Sequence, residues 1–129
     1  PGEDAAHVLD RVRARIATLG LDPRGLTWTL PSPMAMPGFE TPPDHPLVAV
    51  VQGAVTDAGG PATPPAGWTA ACDGGFVARH WDVPVVVLGP GSVAEQAHRA
   101  GESVPVDELV VAARTYALTM VRMLGSAAA

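Results

Sequence analysis

Residues 83–91, Val83-Pro84-Val85-Val86-Val87-Leu88-Gly89-Pro90-Gly91, decide the fold prediction. The first six are apolar without alternation, which is typical of a strand that is buried on both faces of a sheet. The Gly-Pro-Gly sequence that follows cannot continue a strand and predicts a turn at its carboxyl end. Because open α/β sheets bind ligands at that edge, the stretch predicts an α/β protein with a ligand site close to the turn.

Helices are predicted on both sides of this strand. After it, residues 107–124 repeat apolar side chains at helical spacing: Leu109, Val110, Ala113, Ala117, Met120, Val121 and Leu124. Before it, Asp44 and Pro46 are typical N-cap and first-turn residues of a helix that ends near Ala58. The residues predicted to face inward from that helix are Leu47, Val51, Ala54, Val55 and Ala58. A further short helix is predicted after Asp73.

The amino-terminal part is predicted to form a helix and a strand. Residues 4–19 place apolar side chains on one stripe and their arginines off it, and Gly20 can end the helix in a left-handed conformation. Residues 26–30 (LTWTL) alternate large apolar residues with threonine, which favours a half-buried strand. Six prolines between residues 31 and 46 then predict an extended connector and a domain boundary. We expect residues 126–129 to fray.

The composition excludes several classes of protein. The 129 residues carry a formal net charge of -5 without a Lys/Arg cluster, which argues against a nucleic-acid partner. The longest apolar run is far shorter than the roughly 20 residues that span a bilayer, so no membrane partner is expected. Cys72 is the single cysteine and fits a reducing compartment. The start shows neither the basic nor the apolar region of a secretory signal, and a cytoplasmic location is predicted.

His98 is the residue that the sequence singles out for chemistry. It follows the predicted strand, its turn and a short polar segment, and Glu102 stands four residues later. A histidine at the carboxyl edge of a sheet, with a carboxylate to orient its ring, has the surroundings of a metal ligand or an acid/base group. The alternative is an ordinary histidine in a surface loop. The other three histidines, His7, His45 and His80, lack this context.

Other chemical motifs are incomplete. The sequence has no HExxH, no CxxC and no carboxylate cluster, so neighbouring residues cannot build a closed metal site. Gly89-Pro90-Gly91 lacks the GxGxxG pattern of dinucleotide binding, which favours a tight turn over a phosphate site. Cys72 has no basic neighbour in sequence to activate it, which favours a small buried thiol over a nucleophile.

The order of segments along the chain resembles a known family. The segments are Pro1-Gly2-Glu3-Asp4, Pro37-Gly38-Phe39-Glu40-Thr41-Pro42-Pro43-Asp44-His45-Pro46-Leu47, Cys72-Asp73-Gly74-Gly75-Phe76, Val85-Val86-Val87-Leu88-Gly89-Pro90-Gly91, His98 with Glu102, and Val104-Pro105-Val106-Asp107-Glu108-Leu109. Together they resemble the C-terminal part of the zinc-dependent family of aminoacylase, acetylornithine deacetylase, succinyl-diaminopimelate desuccinylase and glutamate carboxypeptidase.

The resemblance implies a two-domain parent enzyme, in which a lid interrupts the catalytic domain. Residues 1–34 would be the second half of an α+β lid that usually dimerises. Residues 35–129 would be the C-terminal part of an α/β, metallopeptidase-like catalytic domain. The whole fold class is therefore α/β, and the intact parent is expected to be a homodimer.

The resemblance also implies roles for particular residues. The family uses two bridged zinc ions, with Co²⁺ or Mn²⁺ as alternatives, and His98 falls at its last metal-ligand position. Glu102 would then support His98. Substrate-binding positions fall on two turns, one with Ala71, Cys72 and Asp73 and the other with Gly91 and Ser92.

Departures from the family pattern limit this expectation. The family's other metal ligands, its Glu-Glu pair and its lid histidine belong to segments upstream of Pro1, so no catalytic residue is expected in this chain. Ala70-Ala71-Cys72 and Gly75 stand where the desuccinylase pattern has Gly-Thr-Ser and Arg. The loss of these donors makes a dicarboxylate acyl group a poorer substrate.

Two functions follow from the sequence. The first is a fragment of a zinc-dependent amidohydrolase or exopeptidase acting on N-acyl amino acids or small peptides, inactive without the upstream half of the same protein. The alternative is a non-catalytic module that keeps the scaffold for binding or assembly.

Overall fold

The computed structural model describes residues 2–32 and 34–125. In this part of the chain the α-helices are α1 (Ala5–Ala17), α2 (Pro46–Asp57), α3 (Gly74–Trp81), α4 (Val93–Gln96) and α5 (Val106–Gly125), with a 3₁₀ turn at Asp22–Arg24. Contacts divide the chain into a first unit, Pro1–Glu40 with Cys72–Val83, and a second unit, Thr41–Ala71 with Pro84–Ala129. The predicted fraying of residues 126–129 lies outside the described residues.

Helix α1 forms where the sequence predicts it. Asp4 is its N-cap, and its Oδ1 accepts the N–H of Ala6 at 2.8 Å. The chain leaves the helix at Thr18, and Gly20 takes a left-handed φ of 60°. Every residue of α1 is described and none is buried. The helix is therefore confirmed, while its apolar stripe stays largely open to solvent.

Helix α2 begins at Pro46, and its N-cap is His45 instead of the predicted Asp44. The Nδ1 of His45 accepts the N–H of Leu47 at 3.1 Å. Proline is favoured at the first helical position because its φ suits a helix and its missing N–H would have no partner there. The cap consequently falls on the residue directly before it. The helix ends at Asp57, and Gly59 follows with a φ of 89°.

The core of the second unit lies between α2 and α5, the helix pair that packs together in the described part of the chain. Its buried side chains are Val48, Val51, Ala54 and Ala58 with Ala112 and Thr115. Three of the predicted inward residues of α2 are thus buried, whereas Leu47 and Val55 are half-buried and Val48 was missed.

Helix α5 extends over the predicted range, but most of its predicted apolar stripe is exposed. The large exposed residues of that stripe are Leu109, Val110, Met120, Val121 and Leu124. The reason is geometric: α2 covers one narrow side of a 20-residue helix, the side that carries Ala112 and Thr115. Helix α5 therefore offers more apolar surface than the described residues cover.

The two predicted strands do not form in the described part of the chain. Residues 26–30 and 83–88 lie outside helices without pairing as a ladder. A β-strand exists only through hydrogen bonds to a neighbouring strand, and the described residues supply no neighbour. The α/β class of a larger domain stays a prediction. Within the described residues, no helix is both long and apolar enough to cross a membrane.

Candidate functional site

Residues 84–88 lead into the candidate site and are fixed by side chains from elsewhere in the second unit. The Thr41 hydroxyl donates to the carbonyl oxygen of Val85 at 2.7 Å and accepts the Val85 N–H at 2.9 Å. The Tyr116 hydroxyl of α5 donates to the carbonyl oxygen of Leu88 at 2.9 Å. The hydroxyl groups of Thr41 and Tyr116 thus make hydrogen bonds that a neighbouring strand would make in a sheet.

The Gly-Pro-Gly sequence forms a turn, as predicted. Gly91 has a φ of 82°, a conformation that strongly favours glycine. Its N–H donates to Glu108 Oε2 at 2.7 Å, which ties the turn to the first turn of α5. Ser92 follows as the N-cap of α4, and its Oγ accepts the N–H of Glu95 at 3.3 Å. The Ser92 hydroxyl is therefore engaged in holding the backbone.

His98 lies in the loop after α4 and is exposed to solvent. Its φ of 61° is left-handed, which is uncommon for a residue other than glycine. The carboxylate of Glu102 accepts the backbone N–H of His98 at 3.1 Å. We expected Glu102 to orient the imidazole ring, and it orients the backbone instead. The ring makes no hydrogen bond with any residue that the structure describes.

The other predicted turn is divided between the two units. Ala71 belongs to the second unit and is exposed, while Cys72 and Asp73 belong to the first. Cys72 is a half-buried free thiol. Asp73 is exposed and precedes α3, but its side chain caps no N–H of that helix. The short helix predicted after Asp73 is confirmed and extends to Trp81.

Gly75 makes a close approach possible within the first unit. A Cβ built on Gly75 would lie 1.8 Å from the carbonyl oxygen of Pro37, so no side chain fits while Pro37 keeps its place. The backbone contact leaves no room for a side chain at this position.

A shallow concave surface of about 570 Å³ runs along one side of α3. It is lined by Asp73, Phe76, Val77, Arg79, His80 and Trp81. The rings of His80 and Trp81 meet edge to face with centroids 5.3 Å apart. All of these residues belong to one helix and its N-cap, so the surface lacks the convergent polar groups of a small-molecule site.

Gly91, Ser92, His98 and Glu102 lie in the segment between residues 89 and 105, which contains α4 and ends at α5. Among the residues described, no group of three or more His, Cys, Asp or Glu side chains could hold a metal ion. Sequence reasoning missed Thr41, Glu108 and Tyr116, which fix this region. Tyr116 is the single tyrosine of the chain, and Glu108 is an acidic residue in a first helical turn, so both carried a weak signal.

Comparison with family models places the chain in a described family. The family model described as Peptidase family M20/M25/M40 matches residues 3–122, which is 120 of the 129 residues. No curated protein and no solved structure matches the chain.

Proposed function

We propose that this chain, which belongs to peptidase family M20/M25/M40, is part of a zinc-dependent amidohydrolase or exopeptidase. The family consists of metallopeptidase-type hydrolases that are generally metal-dependent. The family match over residues 3–122 carries the proposal. The substrates proposed are N-acyl amino acids or small peptides, and the chain requires the upstream half of the same protein for activity.

The unpaired backbone of the second unit supports the need for further polypeptide. Val86 and Val87 make no backbone hydrogen bond with the described residues, although both are half-buried. Buried N–H and C=O groups are almost always paired in folded proteins. A neighbouring strand from the upstream half would pair them and build the predicted α/β sheet. The exposed apolar residues of α5 are the other surface that such a domain would cover.

His98 fits one position of a zinc site. Its exposed imidazole has both nitrogens open to a ligand, and the backbone on either side is held by the left-handed turn and by Glu102. Imidazole nitrogen is a common zinc ligand, and stable sites use three or four protein ligands. The remaining ligands would come from the upstream half. A bound zinc ion, or Co²⁺ or Mn²⁺ in its place, would supply Lewis-acid activation of the substrate carbonyl and of a water molecule.

The substrate-binding residues proposed for the complete enzyme are Ala71, Cys72, Asp73, Gly91 and Ser92. None of these positions presents a cationic side chain, which favours a neutral acyl group over a dicarboxylate. Glu102 acts on the zinc site through the backbone of His98.

The assembly proposed is a homodimer that forms through the lid, of which residues 1–34 are the second half. The proposed partners are the substrate and the upstream half, with neither nucleic acid nor a membrane involved. The proposed location is the cytoplasm.

The alternative is a non-catalytic binding or assembly module that keeps the scaffold. The two functions differ in whether the complete protein binds zinc through His98.

The test compares the 129-residue chain with a protein extended upstream. The short chain should not hydrolyse N-acetyl amino acids, and it should bind Zn²⁺ weakly because one histidine supplies one ligand. In the extended protein, His98→Ala should lower zinc content and turnover together by more than about 100-fold. Mutation of a residue that only supports a metal ligand costs about 10–100-fold, and loss of the ligand itself should cost more. Glu102→Gln should be milder.

His7→Ala is the matched control, because His7 is an exposed histidine of α1. It should retain zinc and turnover. Chelator-sensitive turnover by the short chain would contradict the requirement for the upstream half. Full zinc content and near-normal turnover in His98→Ala would favour the non-catalytic module.

A further inference from the structure

We infer that Glu108 and Tyr116 of α5 are positioning residues that hold the Gly-Pro-Gly turn at both of its ends. The inference rests on the proposed function, because it assigns the turn to the substrate pocket. Tyr116 holds Leu88, directly before the turn, and Glu108 holds Gly91, its last residue. The two anchors are 28 and 17 residues away in sequence, so they are tertiary contacts and not local ones.

The geometry of α5 explains why one helix can hold both ends. Glu108, Ala112 and Tyr116 follow one another at intervals of four residues and lie close to one face of the helix. Ala112 between them is buried, so this face lies against the rest of the second unit. Tyr116, the later residue of α5, holds Leu88, and Glu108, the earlier one, holds Gly91. The segment from Leu88 to Gly91 therefore runs against the direction of the helix.

The chemistry of the two anchors makes the turn rigid. The Glu108 carboxylate accepts the Gly91 N–H at 2.7 Å, and a hydrogen bond to an ionised group is stronger than a neutral one. Gly91 also packs against Val104, since a Cβ on it would meet that side chain at 3.3 Å. The left-handed φ of Gly91 leaves few other conformations once its N–H is fixed. The turn is thus fixed in position before substrate arrives, which lowers the ordering cost of binding.

The backbone of His98 is held by neither Glu108 nor Tyr116, so the effects of these two residues can be distinguished from effects on the metal. The His98 N–H bonds to Glu102, which lies before α5. Loss of Glu108 or Tyr116 should therefore make the Gly-Pro-Gly turn more mobile while zinc stays bound. We expect these substitutions to raise KM without lowering zinc content, whereas a general loss of folding would lower both zinc content and kcat.

The first experiment measures amide hydrogen exchange of the 129-residue chain by NMR. Glu108→Ala should speed exchange of the Gly91 N–H about tenfold, as expected from the loss of one charge-assisted hydrogen bond. Glu108→Gln, which keeps an acceptor oxygen, should restore part of the protection. Asp107→Asn is the matched control, because Asp107 lies in the same first turn and makes no hydrogen bond or ion pair with a described residue. Unchanged Gly91 exchange in Glu108→Ala would overturn the inference.

The second experiment measures kinetics and zinc content in the upstream-extended protein. Glu108→Ala and Tyr116→Phe should each raise KM, by up to about tenfold, with kcat within about twofold of the parent. Because both anchors hold one turn, the KM increase of the double variant should be smaller than the product of the single increases. Asp107→Asn should leave KM unchanged. The inference would be overturned if the active enzyme kept its KM in both Glu108→Ala and Tyr116→Phe. It would also be overturned if Asp107→Asn raised KM as much as these variants do. Absence of turnover in the parent would contradict the proposed function and leave the Gly91 exchange to decide on the anchors.

Discussion

Helices α1 and α2 have nearly the same length and lie in different environments. Both are short and capped by a side chain, with 13 and 12 residues. Helix α2 buries Val48, Val51 and Ala54 against α5, whereas α1, although fully described, buries none of its residues. Apolar residues at helical spacing therefore predict a helix. They do not show whether another element of the same chain packs against it. Helix α1 is stabilised mainly by local interactions such as its N-cap, whereas α2 is also stabilised by packing against α5.

The largest expected effect comes from filling the contact between α2 and α5. Ala54 is fully buried there, and Ala54→Leu should lower the free energy of unfolding by about 1–3 kcal/mol, as overpacking does. Ala14→Leu makes the same change on the exposed side of α1 and should be close to neutral, because leucine and alanine are both good helix formers. Urea unfolding of both variants measures the difference. Equal effects would mean that α1 is packed as tightly as α2.

The N-caps should show a smaller effect of about 1 kcal/mol. Asp4→Ala removes the acceptor for the Ala6 N–H, and α1 has no buried contacts to compensate, so its helix content should fall. Backbone chemical shifts of α1 measure this directly. Asp44→Ala is the control, since His45 and not Asp44 caps α2. Loss of α2 in the Asp44 variant would restore Asp44 as the cap.

The ion pairs should show the smallest effects. Asp57 of α2 pairs with Arg122 of α5, and the arginine side chain is partly buried. Asp57→Asn should cost about 1 kcal/mol or less, because exposed pairs contribute little. Asp10→Asn breaks the pair between Asp10 and Arg13 within α1, which should cost only about 0.3 kcal/mol. Thermal unfolding at low and high salt compares the two, and a larger loss in the Asp10 variant would reverse the order proposed here.

Helices were the predictable part of the fold because their signal is local. Residues 4–19 and 107–124 were predicted from spacing, and α1 and α5 lie within two residues of these bounds. The inward face of α2 was harder, because Leu47, Val48, Val50, Val51 and Val55 spread around most of the helix. The strands could not be confirmed, since pairing depends on partners that spacing does not reveal.

The exposed loop position of His98 agrees with the sequence prediction, whereas the contacts around it were not predicted. The loop position of His98 followed from a turn that glycine and proline force on the chain. The nearness of Glu102 also followed, but which atom of His98 it contacts depends on the left-handed backbone at that residue. The bonds from Glu108 and Tyr116 join residues far apart in sequence, and no local pattern encodes them.

The close contact between Gly75 and Pro37 decides which substitutions can be accepted at position 75. The Pro37 carbonyl oxygen occupies the place that a Cβ would need, so any single replacement of Gly75 meets a backbone clash. A side chain at position 75 would therefore first require a change that moves Pro37. Libraries that vary position 75 alone should contain few folded members, whereas libraries that vary positions 37 and 75 together could contain more. The residues that position 75 can accept thus depend on position 37, and the two positions should vary together.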